Sequence, residues 1–271
     1  MQVKKHLNAT SPGQWFRCKS AKISRGHLIC ALDPAHRYSL MDSYKYAPHV
    51  RFLNAKTGDA LTSFVRTYGP LDMRTDLPVD FYWTFQEWLQ GWVGLVDAFK
   101  RSKDEPDRLR EALHHYLDAD RRKYAAWGIP GSDLSDSMFL SERYSLPPDP
   151  GQWIPQASPD RIREATTFCL SSSELIRVGL QATWRGRQPE INPTFILGNL
   201  RQALIWMVWQ DESRKRPVGI CVECGTCFRA ETAHERKYCK YECAHRATAR
   251  EWRREDLRRK REKKTQGEEL S

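Results

Sequence analysis

The sequence has no stretch long and apolar enough to cross a bilayer. Its most apolar run, Phe195 to Trp209, is broken by Asn199, Arg201 and Gln202. The opening residues, Met-Gln-Val-Lys-Lys-His, lack the apolar segment of a secretory signal. The expected location is therefore the cytoplasm, where clustered cysteines favour metal over disulfides, and no membrane partner is expected. There is no internal repeat. Residues 1–215 contain no convincing catalytic set. His114 and His115, and Cys169 near Ser171–Ser173, carry no signature around them, so no enzyme activity is expected. Acidic residues are outnumbered, 34 against 44 Lys and Arg, leaving a formal net charge of +10. That excludes an acidic, self-solvating chain and points to an anionic partner such as nucleic acid, acidic lipid or a phosphorylated ligand.

The 271 residues suffice for one larger and one small domain. Ten each of Trp, Tyr and Phe supply the apolar area for a core. The pattern predicts a mainly α fold. Thr57 caps a short helix carrying Leu61, Phe64, Val65 and Tyr68, which ends at Gly69-Pro70. From Asp80, the expected cap, to Lys100, residues Phe81, Phe85, Trp88, Trp92, Leu95 and Phe99 recur every three or four positions. They form one aromatic stripe. Gly91 and Gly94 on this helix allow a neighbour to come close. Pro106 opens the next helix, with Leu109, Leu113, Tyr116 and Leu117 inward.

Residues 128–160, rich in Gly and Pro, read as a long loop, a hinge between two helical halves, or an insertion. Ser158-Pro159 starts a helix to about Leu180, Gln181–Pro189 a short hairpin, and Asn192-Pro193 an apolar helix ending near Asp211. Residues 1–56 give no clear pattern and fit short strands or loops. The expected organisation is a helical domain over 1–215, a zinc finger over 216–264 and a disordered tail over 265–271. The first domain would serve a dimer contact or an effector.

The chemistry concentrates near the C-terminus. Cys221, Cys224, Cys227, Cys239 and Cys243 fall within 23 residues. Two closely spaced thiol pairs separated by a spacer are the pattern of a tetrahedral zinc site. Cys221 and Cys224 are the preferred first pair, because Gly225 suits the tight turn after Cys224 and Phe228 then falls under the site. Cys224 with Cys227 is the alternative, and His234 and His245 are reserve ligands. Cys239 and Cys243, four apart, would share one face of a helix. Residues 216–248 have too few apolar side chains to fold unaided, so the zinc is structural.

From Tyr241 to Lys264 the chain has neither Gly nor Pro, and arginines recur every three to four residues. Residues 216–271 carry 15 Lys/Arg against 10 Asp/Glu. Arg236, Lys237, Lys240, Arg246, Arg250, Arg253 and Arg254 are the candidate nucleic-acid contacts, to double-stranded DNA first. The alternatives are RNA, with Tyr238, Tyr241 or Trp252 stacking on bases, and a zinc-ordered protein-interaction module.

The pattern Cys221-x2-Cys224-Gly225-x2-Phe228, a basic spacer, then Cys239-x3-Cys243 with Arg246 and Ala247, resembles the CGNR-type zinc finger. In that family the module lies at the C-terminus of bacterial proteins, behind a helical ABATE domain. The resemblance implies a transcription regulator. The family's Cys-Gly-Asn-Arg reads Cys243-Ala244-His245-Arg246 here, and the first cysteine pair is closer than usual. The match covers about 50 residues. If the zinc reading is right, the sulfurs of Cys221, Cys224, Cys239 and Cys243 must converge to within about 4 Å of one another.

Overall fold

The aromatic stripe on residues 80–100 is the spine of the fold. In the computed structural model, which describes residues 8–10, 15–38, 43–72, 74–102, 105–127, 135–171, 177–185, 188–196, 199–230 and 236–268, the stripe lies on the helix Val79–Lys100 (α3). Phe81, Phe85, Trp88, Trp92 and Leu95 are buried. Removing each from water contributes on the order of 2 kcal/mol or more. The helix Pro106–Ala126 (α4) packs along α3, with Leu109, Leu113, Tyr116 and Leu117 inward. A Cβ placed on Gly91 would lie 3.2 Å from the Tyr116 Cα, so the two backbones meet there as the glycine allows.

Among the described residues, the helices Pro48–Leu53 (α1) and Gly58–Tyr68 (α2) lie before α3. Thr57 caps α2 as expected, accepting the Ala60 N–H at 3.2 Å. Before them, the unassigned N-terminal region forms the strands Asn8–Thr10 (β1), Trp15–Ser24 (β2) and His27–Tyr38 (β3). β2 and β3 form an antiparallel hairpin turned by Arg25 and Gly26, both at positive φ. Register shifts between Phe16 and Arg17 and between Cys18 and Ser20 break the period-2 alternation, which hid the strand in the sequence. Asp76–Pro78 (β4) joins β3 and leads straight into α3. α3 therefore begins at Val79, with Pro78 at the cap position. Asp80 is not the cap but lies in the first turn.

Within residues 128–160, the described part from 135 on is largely helical. Residues 128–134 lie outside the described residues. Beyond them come the helices Asp136–Tyr144 (α5) and Pro150–Trp153 (α6), and a 3-10 turn over Ile154–Gln156. α4 pins this segment by polar contacts that local sequence does not announce. Asp120 accepts the Asp136 N–H at 2.8 Å and the buried Lys123 ammonium at 2.7 Å. Arg110 donates to the carbonyls of Ile154, Pro155 and Ala157.

The helix from Pro159 (α7) ends at Ser171, not near Leu180. Arg177–Arg185 (β5) and Gln188–Ile196 (β6) form an antiparallel hairpin much longer than expected, and β1 adds parallel to β6. Asn192 and Pro193 are thus in a strand and start no helix. Pro189 and Pro193 lie outside the stretch of β6 that β1 pairs with, where a missing N–H costs no ladder bond on that side. The apolar helix is Leu200–Ser213 (α8), capped by Asn199, which accepts the Gln202 N–H at 3.0 Å.

Val218–Ile220 (β7) and Cys227–Arg229 (β8) form a short hairpin docked on this body, and Val218 and Cys227 belong to the main core. The Asn54 side chain bonds both the N–H and the carbonyl of Cys227, at 2.9 and 2.8 Å, as a neighbouring strand would. Arg229 reaches the fully buried Asp211 of α8, its Nε at 2.8 Å. Asp211 also accepts from Tyr44 and from His49 Nε2, at 2.7 Å.

Burial pushes His49 below the usual histidine pKa, and its bond to Asp211 offsets only part of this. Burial alone would raise Asp211, but bonds from His49, Arg229 and Tyr44 hold it below the carboxylate range. Both folded-state values are depressed. Their contribution is therefore complete above about pH 6.5 and lost as pH falls through the folded values, His49 first. Thermal unfolding should give a midpoint that is flat near pH 7–8 and falls below about pH 6.5. Asp211→Asn should lower stability by about 3–5 kcal/mol, because it strands the Arg229 charge.

Candidate metal centre and the helix it anchors

The first thiol pair sits on a tight turn after β7. Gly225 holds φ +67° and donates to the Cys221 carbonyl at 2.8 Å. An added Cβ there would meet nothing within 4 Å, so backbone conformation and not space calls for glycine. The Val222 N–H donates to the Lys237 carbonyl at 3.2 Å, which brings the second pair's lead-in alongside the first.

Cys239 and Cys243 do not share a helix face. The helix Tyr241–Glu268 (α9) begins between them. Cys243 is in its first turn, where the Lys240 carbonyl accepts the Cys243 N–H at 3.1 Å, and Cys239 lies in the bend before it. Their sulfurs nevertheless converge.

Cys224 Sγ lies 3.5 Å from Cys239 and 3.7 Å from Cys243, and Cys239 lies 3.6 Å from Cys243. All four sulfurs, Cys221 included, fall within 4.8 Å of one another. Four sulfurs about 2.3 Å from a tetrahedral centre stand ~3.8 Å apart. The set is close enough to hold one metal ion. Cys221 and Cys243 are buried and Cys224 is exposed.

Cys227 is excluded from this group. It is buried in the main core, which pushes its thiol up to about 11. Phe228 packs beneath Cys221 and Cys243, as expected, and the half-buried Tyr238 packs against this cluster. His245 lies against Tyr241 and is not among the converging donors. His234 lies outside the described residues.

The thiols differ electrostatically. The Thr226 hydroxyl and N–H draw Cys224 down to about 6, while burial and bonds to the neighbouring thiols push Cys239 up to about 12. Ionising all four together therefore needs a cation among them. Arg246 supplies part of that charge from outside, donating to Cys243 Sγ at 3.2 Å.

The seven candidate nucleic-acid contacts divide into two groups. Arg236, Arg246 and Arg250 are engaged with the knuckle. Arg236 donates to the Cys239 carbonyl at 2.9 Å. Arg250 pairs with Glu223 at 2.5 Å and Arg246 with the same carboxylate at 3.8 Å. Glu223, inside the first Cys-x2-Cys turn and only 8% exposed, thus clamps two successive turns of α9. Its role was not read from the sequence, and its only signal was an acid facing a run of arginines. Lys237, Lys240, Arg253 and Arg254 are exposed, and none of them has an ion-pair partner among the described residues.

Every residue from 251 to 260 is exposed, so α9 leaves the body as a bare rod. It continues to Glu268, past Lys264. For the expected effector or dimer contact, the body offers two open clefts among the described residues. One of about 460 Å³ lies between Ile220–Val222 and the α3–α4 pair, and one of about 510 Å³ between α5 and α7.

Among the described residues, no helix is long and apolar enough to cross a membrane. Comparison with known proteins finds no matching family model, no matching curated protein and no matching solved structure.

The geometry makes an assignable distinction between cysteines. The purified chain should carry one equivalent of metal by elemental analysis. Cys239→Ser and Cys243→Ser should each lose it, while Cys227→Ser keeps it. Metal loss in Cys227→Ser alone would reassign the ligands.

Proposed function

We propose that the ion is zinc and that it holds α9 for binding to duplex DNA, in the manner of a CGNR-type transcription regulator. Four thiolates match the preference of zinc and leave no open coordination position, which supports a structural and not a catalytic role. A structural zinc contributes on the order of 10–16 kcal/mol of apparent binding free energy, far more than the Cys221–Phe228–Cys243 cluster offers alone.

The observation that carries the DNA reading is the rod itself. α9 spans 28 residues, or ~42 Å at about 1.5 Å per residue. At about 100° per residue, Arg246, Arg250, Arg253 and Arg254 fall within a ~100° arc, and Glu251 and Glu255 fall outside it. Arg246 and Arg250 hold the start of this face through Glu223, and the stretch from Arg253 on, free of the body, is suited to neutralise phosphates and enter a major groove.

RNA is the second reading. It is favoured by Tyr241 and Trp252, 77% and 74% exposed, three turns apart on one face. Competition between duplex DNA and single-stranded RNA at fixed salt separates the two.

Arg253→Glu combined with Arg254→Glu should weaken duplex binding more than tenfold. It should lower the slope of log K against log salt by about 2, with zinc content unchanged. An unchanged slope would remove α9 from the interface.

A further inference from the structure

The positive charge of this chain sits at its two ends. Residues 1–38 hold seven Lys or Arg and one acid, residues 39–215 hold 22 and 23, and residues 216–271 hold 15 and 10. The helical body is thus close to neutral, and several of its arginines pair with its own acids. Arg101 and Arg108 pair with Asp97, Arg122 with Asp118 and Glu87, Arg161 with Glu164, Arg163 with Asp160, and Arg201 with Asp72.

The β2–β3 hairpin is different. Arg17, Lys19, Lys22 and Arg25 are all exposed. None of them lies within salt-bridge distance of an acid among the described residues, although Arg17 stands over the Tyr38 ring, 5.9 Å from its centroid, and Lys19 acts on Asp33 from further off. The acids nearest to them are already engaged. Asp33 takes His36 at 2.7 Å and the Ala35 N–H, and Asp76 on β4 takes His27 at 2.9 Å. Between the cations the cross-strand pair Ser20 and Ala31 is small, so a large partner can come close. From Arg17 to Ser24 the strand runs roughly 23 Å at about 3.3 Å per residue, the length of roughly seven base pairs at about 3.4 Å each.

This hairpin borders the metal module. Asn54 bonds the Cys227 backbone, and Gly58 lies beneath Ile23, whose Cδ1 is 3.0 Å from where its Cβ would be. Four chain steps separate Asn54 from Gly58, at most about 14 Å. Lys56, exposed, lies between them, and Asp59 is the nearby acid.

We propose that the β2–β3 hairpin is a second phosphate-contacting surface for the same duplex DNA. Lys19, Lys22 and Arg25 make the contacts, and Lys56 bridges to the metal module. This rests on the DNA reading of α9 given above. The exposed apolar side chains of the hairpin, Ile23 and Ile29, are only 40% and 37% exposed. That favours a phosphate backbone over insertion into a lipid surface.

The test uses the full-length zinc-loaded chain with Lys19→Gln, Lys22→Gln and Arg25→Asn combined. Asparagine is chosen because position 25 has a positive φ. A companion carries Lys19→Arg, Lys22→Arg and Arg25→Lys. Duplex binding is titrated across salt, beside the Arg253→Glu/Arg254→Glu variant and vesicles containing phosphatidylserine. The neutral triple should bind at least tenfold more weakly at about 0.1 M salt, with the slope lowered by about 2–3, and the charge-retaining triple should bind as the parent does.

An unchanged slope in the neutral triple, with binding lost in the α9 variant, overturns this proposal and leaves the DNA reading standing. Loss in the neutral triple with none in the α9 variant does the reverse. Equal loss in both hairpin triples marks a structural defect and overturns the proposal. So does vesicle binding that depends on the hairpin while DNA binding does not.

Discussion

Four sulfurs from two separate stretches of chain meet at one point, and the C-terminal part of the molecule depends on that meeting. Cys221 and Cys224 arrive on a glycine turn, Cys239 on a bend and Cys243 on the first turn of α9. Besides the sulfurs, the segments are joined by the Val222–Lys237 backbone bond and the Glu223 pairs to Arg246 and Arg250. Among the described residues, Phe228 and Tyr238 pack beneath the sulfurs, and a cluster that small does not order a module. Thiolates crowded at such distances repel one another, so the arrangement is stable with a cation at its centre.

The hairpin bearing the first pair is itself fixed. Asn54 supplies β8 with the two hydrogen bonds of an absent strand, and Arg229 is held by a carboxylate buried under α8. Position then passes outward in steps, from body to hairpin, from hairpin through the sulfurs to Cys243, and along α9. Glu223 adds a second hold one and two turns further on, through Arg246 and Arg250. A rod gripped at three points along its first ten residues has a direction, and direction lets a row of arginines face one ligand.

The parts of this structure legible in the sequence are those where periodicity or spacing is local. The α3 stripe repeats every three to four residues, Thr57 and Pro106 mark helix starts, and Cys221 and Cys224 with Gly225 and Phe228 sit as their spacing implied, whereas Cys239 and Cys243 converge without sharing the helix face that theirs suggested. What could not be read depends on partners far along the chain. The β2–β3 hairpin was hidden because its register shifts break the alternation. Asn192-Pro193 carried a helix-start signal that the β5–β6 ladder overrode. The Pro- and Gly-rich segment looked like a hinge because Asp120 and Arg110, which pin it, lie on α4. The clamp by Glu223 needed the position of α9 to be seen at all.

The claim at the centre is that the thiol cluster and its metal confer order on the start of α9. Amide hydrogen exchange on the full chain, with metal bound and after chelation, measures this directly. With metal, the amides from Cys243 to Arg250 should be protected. After chelation they should exchange freely, while α3 and α8 keep their protection. Equal protection of that segment in both states would show that the helix is ordered without the sulfurs being joined, and would contradict the account.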